Sequence, residues 1–170
     1  AVNGAELIIF AVASPFTRKT AENFREVIGT GRRITVVTKG IEEETLMTQA
    51  EILEEVLPGN TVSALSGPTH AEEVAMDLPT LIVVAGAENE AQQVQKLFEG
   101  TCIRPYTNTD ILGVQICGAL KNVEALAVGI ARGLGYGDNT RAAMITRGME
   151  EIRRLGLAMG CEERTFFGLA

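Results

Sequence analysis

Residues 102–122 read CIRPYTNTDILGVQICGALKN, and the local pattern of the chain changes within this stretch. Before Asn108, short apolar runs alternate with helical segments, which is the pattern of an α/β domain with a largely parallel sheet. From Thr109 onward the pattern is helical, with no clear strand before Ala170. We therefore predict an α/β domain over residues 1–108 and the start of an all-helical domain over residues 109–170.

Five runs before the boundary are predicted strands. Their apolar character is continuous rather than alternating, which is typical of strands covered on both faces. They comprise residues 7–12, 34–37, 61–65, 81–85 and, more weakly, 102–106. Helices are expected at residues 16–27, 43–56, 71–76, 90–99, 109–131 and 138–159. Thr109 or Asp110 can cap the first long helix, and Asp138 or Asn139 the second.

Composition excludes several classes of partner. The 170 residues are 46% hydrophobic, enough for a core, and carry a net charge of -7. This charge gives no electrostatic footprint for nucleic acid and no basic face for an anionic membrane, and no long apolar stretch is free of charge. Cys102, Cys117 and Cys161 show no paired spacing, which indicates reduced thiols and no metal site. We expect a cytoplasmic protein without metal, nucleic acid or membrane insertion.

The two ends of the sequence point to a longer protein. The chain begins without Met, almost directly in a predicted strand, and its last five residues, 166–170, read FFGLA. An apolar end of this kind is more often followed by further packed structure than left in water. Uncovered apolar faces also favour self-association, so a homodimer is a candidate assembly.

The helix from residue 109 places one charged side chain among small neighbours. At 100° per residue, one arc is apolar and predicted to be buried: Leu112, Ile116, Leu120, Val123, Leu126 and Ile130. The opposite arc resembles a cleft wall: Gln115, Gly118, Lys121, Asn122, Ala125, Gly129 and Arg132. Gly118 would leave room for a ligand beside Lys121, whose pKa falls in a half-dry position. The same spacing also fits a structural lysine at the rim of a packed helix.

Two further stretches follow predicted strands. Lys39 stands at the carboxyl end of the second strand, where ligands of open α/β sheets gather, although an ordinary loop lysine is the commoner case at such a position. In LSGPTHAE, residues 65–72, Thr69 and Glu72 have the spacing of a capping box, and Gly67 allows a phosphate or carbonyl oxygen to approach. The alternative is that Thr69 only caps a helix and Gly67 only makes a turn.

Four stretches carry a family resemblance: VVTKGIEEET, LSGPTHAEEVAMDLPT, YTNTDILGVQICGALKN and GYGDNTRAAMITRGMEEIRRLG. In this order they resemble the bacterial NAD(P)-dependent glycerol-3-phosphate dehydrogenases. The resemblance implies the remainder of a Rossmann-like domain followed by part of an all-helical domain. It also implies interconversion of dihydroxyacetone phosphate and sn-glycerol 3-phosphate by hydride transfer, with NAD or NADP as the cofactor.

The same resemblance assigns roles to residues. Lys121 would be the proton donor and acceptor for the substrate. The substrate-binding residues would be Lys39, Gly67, Thr69, Lys121 and Asn122. The cofactor-binding residues would be Phe16, Lys39 and Ala71. Thr69 replaces the usual Ser and keeps the hydroxyl.

Two departures from the family pattern shape the expectation. The glycine-rich G-x-G-x-x-G turn is absent, and the family continues beyond FFGLA. We therefore expect an internal part of the enzyme that alone turns over nothing measurable. The open alternatives are a related 6-phosphogluconate or 3-hydroxyacid dehydrogenase, and a catalytically inactive scaffold.

Overall fold

The structure, a computed structural model, describes residue 2 and residues 4–169. Five strands form one sheet in the order of the chain: β1 (Leu7–Phe10), β2 (Arg33–Val36), β3 (Thr61–Ser66), β4 (Thr80–Ala85) and β5 (Ile103–Asn108). Six helices accompany them: α1 (Thr17–Ile28), α2 (Gln49–Val56), α3 (Ala71–Ala75), α4 (Glu88–Lys96), α5 (Ile111–Gly133) and α6 (Asp138–Ala158). Short 3₁₀ turns lie at Ser14–Phe16 and Glu163–Phe167.

The sheet is mixed, which refines the expectation of a largely parallel sheet. β1, β2 and β3 are parallel, β4 is antiparallel to β3, and β5 is parallel to β4. α3 is too short to carry the chain back along β3 by itself, since five helical residues rise only about 7.5 Å whereas a six-residue strand spans about 20 Å. The chain re-enters the sheet at the end of the sheet where β3 finishes.

Helices cover both faces of the central strands. In β4, Val83 and Ala85 pack with Val114 of α5, and Val84 packs with Ala91 and Val94 of α4. The largest apolar cluster joins β2 and β3 to the buried faces of α1 and α2. Coverage on both faces is thus confirmed for the central strands. The edge strand β1 leaves Ile9 exposed.

The helix starts differ from expectation at three places. α2 begins at Gln49 rather than at residue 43, because Thr48 and Glu51 form a capping box there. The prediction of a capping box formed by Thr69 and Glu72 is wrong. The backbone of His70 is still extended, so Glu72 is only the second residue of α3 and the spacing for a box is lost. α6 is preceded by Gly137 without a side-chain cap, and Asp138 is already helical.

Asp110 caps α5, as the sequence indicates. Its buried carboxylate accepts hydrogen bonds from the backbone N–H of Gly113 at 2.8 Å and that of Glu162 at 2.8 Å. It accepts a third from Thr165 Oγ1 at 2.7 Å. One carboxylate therefore joins the start of α5 to the segment that follows α6.

α5 changes its surroundings halfway along its length. Residues 113–118 are buried, but Val123, Leu126 and Ile130, predicted to be buried, are 64%, 65% and 56% exposed. The reason is that only the first half of the helix has the sheet beneath it.

Among the described helices, α5 alone is long and apolar enough, by length and composition, to cross a membrane. Its first half packs as a core helix does. The boundary at residue 108 stays a prediction.

Candidate active site

Topology brings α5 across the sheet to the carboxyl end of β3. Because β4 and β5 run against β1 to β3, β5 ends at the opposite edge of the sheet. Ten residues separate Ile111 from Lys121, so the helix rises about 15 Å between them. Lys121 thereby reaches the loop after β3, where its Nζ donates a hydrogen bond to the carbonyl oxygen of Gly67 at 3.2 Å.

Lys121 is half-buried, and its pKa is lowered from its ordinary value. Burial is the larger cause, because it disfavours the charged ammonium, and the positive charge of Lys39 is the second. The lowered pKa expected from a half-dry position is therefore found. A lysine in this state holds its proton less tightly than a solvated one, which suits proton transfer to a substrate.

Lys39 stands in the loop after β2, at the same edge of the sheet. Thr38 Oγ1 donates to the carbonyl oxygen of Val12 at 2.6 Å, which joins this loop to the one after β1. Gly40 has φ 135°, and a Cβ atom built on it would lie 2.9 Å from Ser14 Cβ. A glycine is thus required where the two loops touch.

An ion pair that sequence reasoning missed fixes the same loop. Arg18 of α1 donates to both carboxylate oxygens of Glu42, with contacts of 2.9 and 2.8 Å. The hydrogen bonds from Arg18 and, less strongly, from Thr45 lower the pKa of Glu42. Since Glu42 follows Lys39 by three residues, the pair anchors the Lys39 loop to α1. No local pattern joins residues 24 positions apart.

Gly67 combines an unusual backbone with a tight contact. Its φ is 141°, and a Cβ atom built on it would lie 3.0 Å from both Ile82 Cα and the carbonyl oxygen of Leu81. Both features exclude a side chain. The turn after β3 can therefore pass close to β4 and present its carbonyl oxygen to Lys121.

The predicted cleft wall is in part a packing surface. Gln115 is buried, and its Oε1 accepts a hydrogen bond from the backbone N–H of Ala50 at 2.9 Å. Gly118 does not leave space for a ligand. A Cβ atom built there would lie 2.8 Å from Ser66 Oγ and 3.7 Å from Lys39 Cγ. The prediction that Gln115 and Gly118 line an open cleft is wrong, because helical spacing does not show what the helix packs against.

The remaining predicted site residues are exposed. Phe16, 63% exposed, ends the 3₁₀ turn after β1, and Thr69 and Ala71 follow β3 beyond Gly67. Asn122 is exposed next to Lys121. The topology places all four at the edge that holds Lys39, Gly67 and Lys121, and their roles stay predictions. In the described part of the chain, no group of three His, Cys, Asp or Glu side chains could hold a metal ion.

Ser66 is a site neighbour that the sequence did not single out. It is the last residue of β3 and is 5% exposed. Within the described residues, its hydroxyl has no hydrogen-bond partner. The only signal in the sequence is its place immediately before Gly67.

Two family models match the chain. Residues 1–92 match "NAD-dependent glycerol-3-phosphate dehydrogenase N-terminus", and residues 110–170 match "NAD-dependent glycerol-3-phosphate dehydrogenase C-terminus". The sequence is 54% identical to glycerol-3-phosphate dehydrogenase [NAD(P)+] 2 of Lactobacillus delbrueckii subsp. bulgaricus, over 97% of this chain and 51% of that one. It is 48% identical to glycerol-3-phosphate dehydrogenase [NAD(P)+] 1 of Salinibacter ruber, over 100% of this chain and 51% of that one.

Solved structures give the same result. The crystal structure of glycerol-3-phosphate dehydrogenase from Coxiella burnetii matches with a TM-score of 0.93 and 33% identity, covering 99% of this chain and 52% of that one. The enzyme of Dunaliella salina matches with a TM-score of 0.90 and 28% identity, covering 99% and 30%. The chain thus spans about half the length of the curated relatives it matches.

Proposed function

The chain belongs to the NAD-dependent glycerol-3-phosphate dehydrogenase family, and we propose that it takes part in interconverting dihydroxyacetone phosphate and sn-glycerol 3-phosphate. The α/β fold with a following helical part is the fold of that family. The observation that carries the proposal is the half-buried Lys121, held by the Gly67 carbonyl oxygen with its pKa lowered beside Lys39.

In this reaction, Lys121 gives and receives the proton. NADH or NADPH, when bound, supplies the hydride that reduces the ketone. The oxygen of that ketone gains negative charge and needs a proton, which the Lys121 ammonium donates. In the reverse direction the neutral amine accepts the proton from the hydroxyl group. The Gly67 carbonyl oxygen orients the amine for both directions.

Lys39 contributes a fixed positive charge at the same edge of the sheet. A cation near the developing negative charge stabilises it, and the same cation helps to lower the pKa of Lys121. Thr69 and Asn122 are exposed and can offer hydrogen-bonding groups to the substrate. Together these residues would bind a small phosphorylated substrate.

The residues present fit a nicotinamide cofactor at this edge. Phe16 exposes a large aromatic surface there, which suits a planar ring, and Lys39 offers a cation for a phosphate group. Phe16, Lys39 and Ala71 would hold NAD or NADP. We further propose a cytoplasmic location and a homodimer.

A chimera tests the proposal. This chain would replace the matching half of the Lactobacillus delbrueckii enzyme, and dihydroxyacetone phosphate reduction would be followed by loss of NADH or NADPH absorbance. The chimera should also be offered glycerol 3-phosphate, 6-phosphogluconate and 3-hydroxyisobutyrate, each with NAD⁺ and with NADP⁺. Turnover of dihydroxyacetone phosphate is expected. Oxidation of either rival substrate without oxidation of glycerol 3-phosphate would contradict it, and an inactive chimera beside an active parent would favour a scaffold.

A further inference from the structure

Helix α5 packs closely against the end of β3 at Gly118, where Ser66 is the neighbour. A Cβ atom built on Gly118 would lie 2.8 Å from Ser66 Oγ but 3.8 Å from Ser66 Cβ. The first distance is too short for a carbon and an oxygen that are not bonded to each other, and the second is an ordinary van der Waals contact. Among these atoms, the Ser66 hydroxyl oxygen is therefore the one that a methyl group at position 118 would meet too closely.

The Ser66 hydroxyl is placed there at a cost. Within the described residues it has no hydrogen-bond partner, and the residue is 5% exposed. An unpaired buried hydroxyl destabilises a fold, because it gives up its hydrogen bonds to water without gaining others. The hydroxyl therefore does not stabilise the fold, and its position beside Lys39 and Lys121 points to a role in the site.

We propose that Ser66 and Gly118 are positioning residues whose contact sets the place of Lys121 relative to Lys39 and Gly67. The proposal rests on the proposed function, since it concerns the residue that would donate the proton. Lys121 follows Gly118 by one helical turn on the same face of α5. Ser66 precedes Gly67, whose carbonyl oxygen accepts the Lys121 hydrogen bond. The Lys39 stem lies on Gly118.

A side chain at position 118 would act on both lysines together. Rotation of the Ser66 hydroxyl alone would leave both lysines in place, whereas a shift of α5 away from β3, which the proposal requires, would move the amine of Lys121 into water and away from Lys39. Among the described residues, Lys39 is the charged group that lowers the Lys121 pKa, and burial is the larger cause of that lowering. Both changes favour the ammonium form, so the Lys121 pKa would rise toward its ordinary value.

Lysine titration in the 170-residue chain tests the proposal. The chain has four lysines, Lys19, Lys39, Lys96 and Lys121, so labelled side-chain signals can be followed one by one by NMR as the pH is raised. The variants are Gly118→Ala and the double variant Ser66→Ala/Gly118→Ala. The matched control is Gly129→Ala, because a Cβ atom built there, on the same helix, meets no heavy atom within 4 Å.

The expected result is a rise of the Lys121 pKa in Gly118→Ala and its return to the wild-type value in the double variant. Gly129→Ala should leave the pKa unchanged. If Gly118→Ala does not fold, the double variant restores folding and keeps the wild-type pKa. An unchanged Lys121 pKa in Gly118→Ala would overturn the proposal, even with a lower melting temperature. So would a double variant whose pKa stays high.

This outcome is separable from that of the proposed function. The titration needs no substrate, so failure of the chimera to reduce dihydroxyacetone phosphate beside a normal pKa response would count against the function alone. Full turnover beside an unresponsive pKa would count against the positioning role alone.

Discussion

Replacing Asp110 by Ala should destabilise the chain far more than any exposed acidic substitution. The carboxylate accepts hydrogen bonds from two backbone N–H groups, those of Gly113 and Glu162, and from the hydroxyl of Thr165. The substitution leaves the two N–H groups without this partner, at about 1.5 kcal/mol each, and weakens the hydroxyl by about 1 kcal/mol. The expected loss in the free energy of unfolding is therefore about 4 kcal/mol.

Urea unfolding followed by circular dichroism measures this loss. Asp110→Asn keeps one acceptor oxygen and should cost about 1–2 kcal/mol. Asp138→Ala is the matched control, because Asp138 lies at the start of α6 with its side chain 90% exposed, and it should cost about 0.5 kcal/mol or less. If Asp110→Ala lost no more free energy of unfolding than Asp138→Ala, the stabilising role of the hydrogen bonds to Asp110 would be refuted. A changed slope against urea would indicate a different unfolding transition.

Three further predictions concern the edge of the sheet and the thiols. Gly67→Ala should lower stability by about 1–3 kcal/mol, because φ is 141° and the Ile82 backbone is 3.0 Å from the new Cβ; thermal unfolding checks this. The lowered pKa of Glu42 adds stability above its unfolded pKa of about 4.5, and this is lost as the pH falls through the folded pKa. The melting temperature of Glu42→Gln should therefore fall less on acidification than that of the wild type, and an equal fall would contradict the ion pair. Burial raises the pKa of Cys117 to about 12 and of Cys161 to about 11, and a hydrogen bond with Asp77 raises the pKa of Cys102 as well. Because Cys117 and Cys161 are buried whereas Cys102 is half-buried, alkylation at pH 8, read by mass spectrometry, should reach Cys102 first. Faster reaction of Cys117 would show that this core opens.

The first four strands were predictable because each contains a short apolar run, whereas β5, with the sequence IRPYTN, was only weakly indicated. The direction of β4 is a different matter, since it depends on the connection through α3 rather than on β4 itself. A helix expected at residues 71–76 is shorter than a strand, which favours the reversal but does not require it, because the residues on either side of the helix could also span that distance.

Helical periodicity located the apolar arc of α5 but not where that arc is covered. Val123, Leu126 and Ile130 continue the pattern of Ile116 past the last residue that has the sheet beneath it. In the same way, spacing correctly grouped Gly118 with Lys121 but assigned Gly118 a space that Ser66 and Lys39 occupy. What a residue packs against depends on tertiary approach, which sequence spacing does not contain.

The two lysines were singled out from their positions in the sequence, and the fold retains those positions. Lys39 follows the carboxyl end of β2, where ligands of open α/β sheets gather, and Lys121 interrupts an apolar helix. Their proximity follows from α5 crossing the sheet, which only the topology provides. The Arg18–Glu42 pair that anchors the Lys39 loop joins distant segments and has no local signature.

The measurement that tests the central claim most directly is kcat for dihydroxyacetone phosphate reduction by the chimera carrying Lys121→Ala. Lys96→Ala is the matched control, since Lys96 is an exposed lysine at the end of α4. We expect Lys121→Ala to lower kcat by at least about 100-fold, the lower range for the loss of a general acid. Circular dichroism should show the fold unchanged, and Lys96→Ala should retain activity. Near-normal turnover by Lys121→Ala would contradict its role as the proton donor.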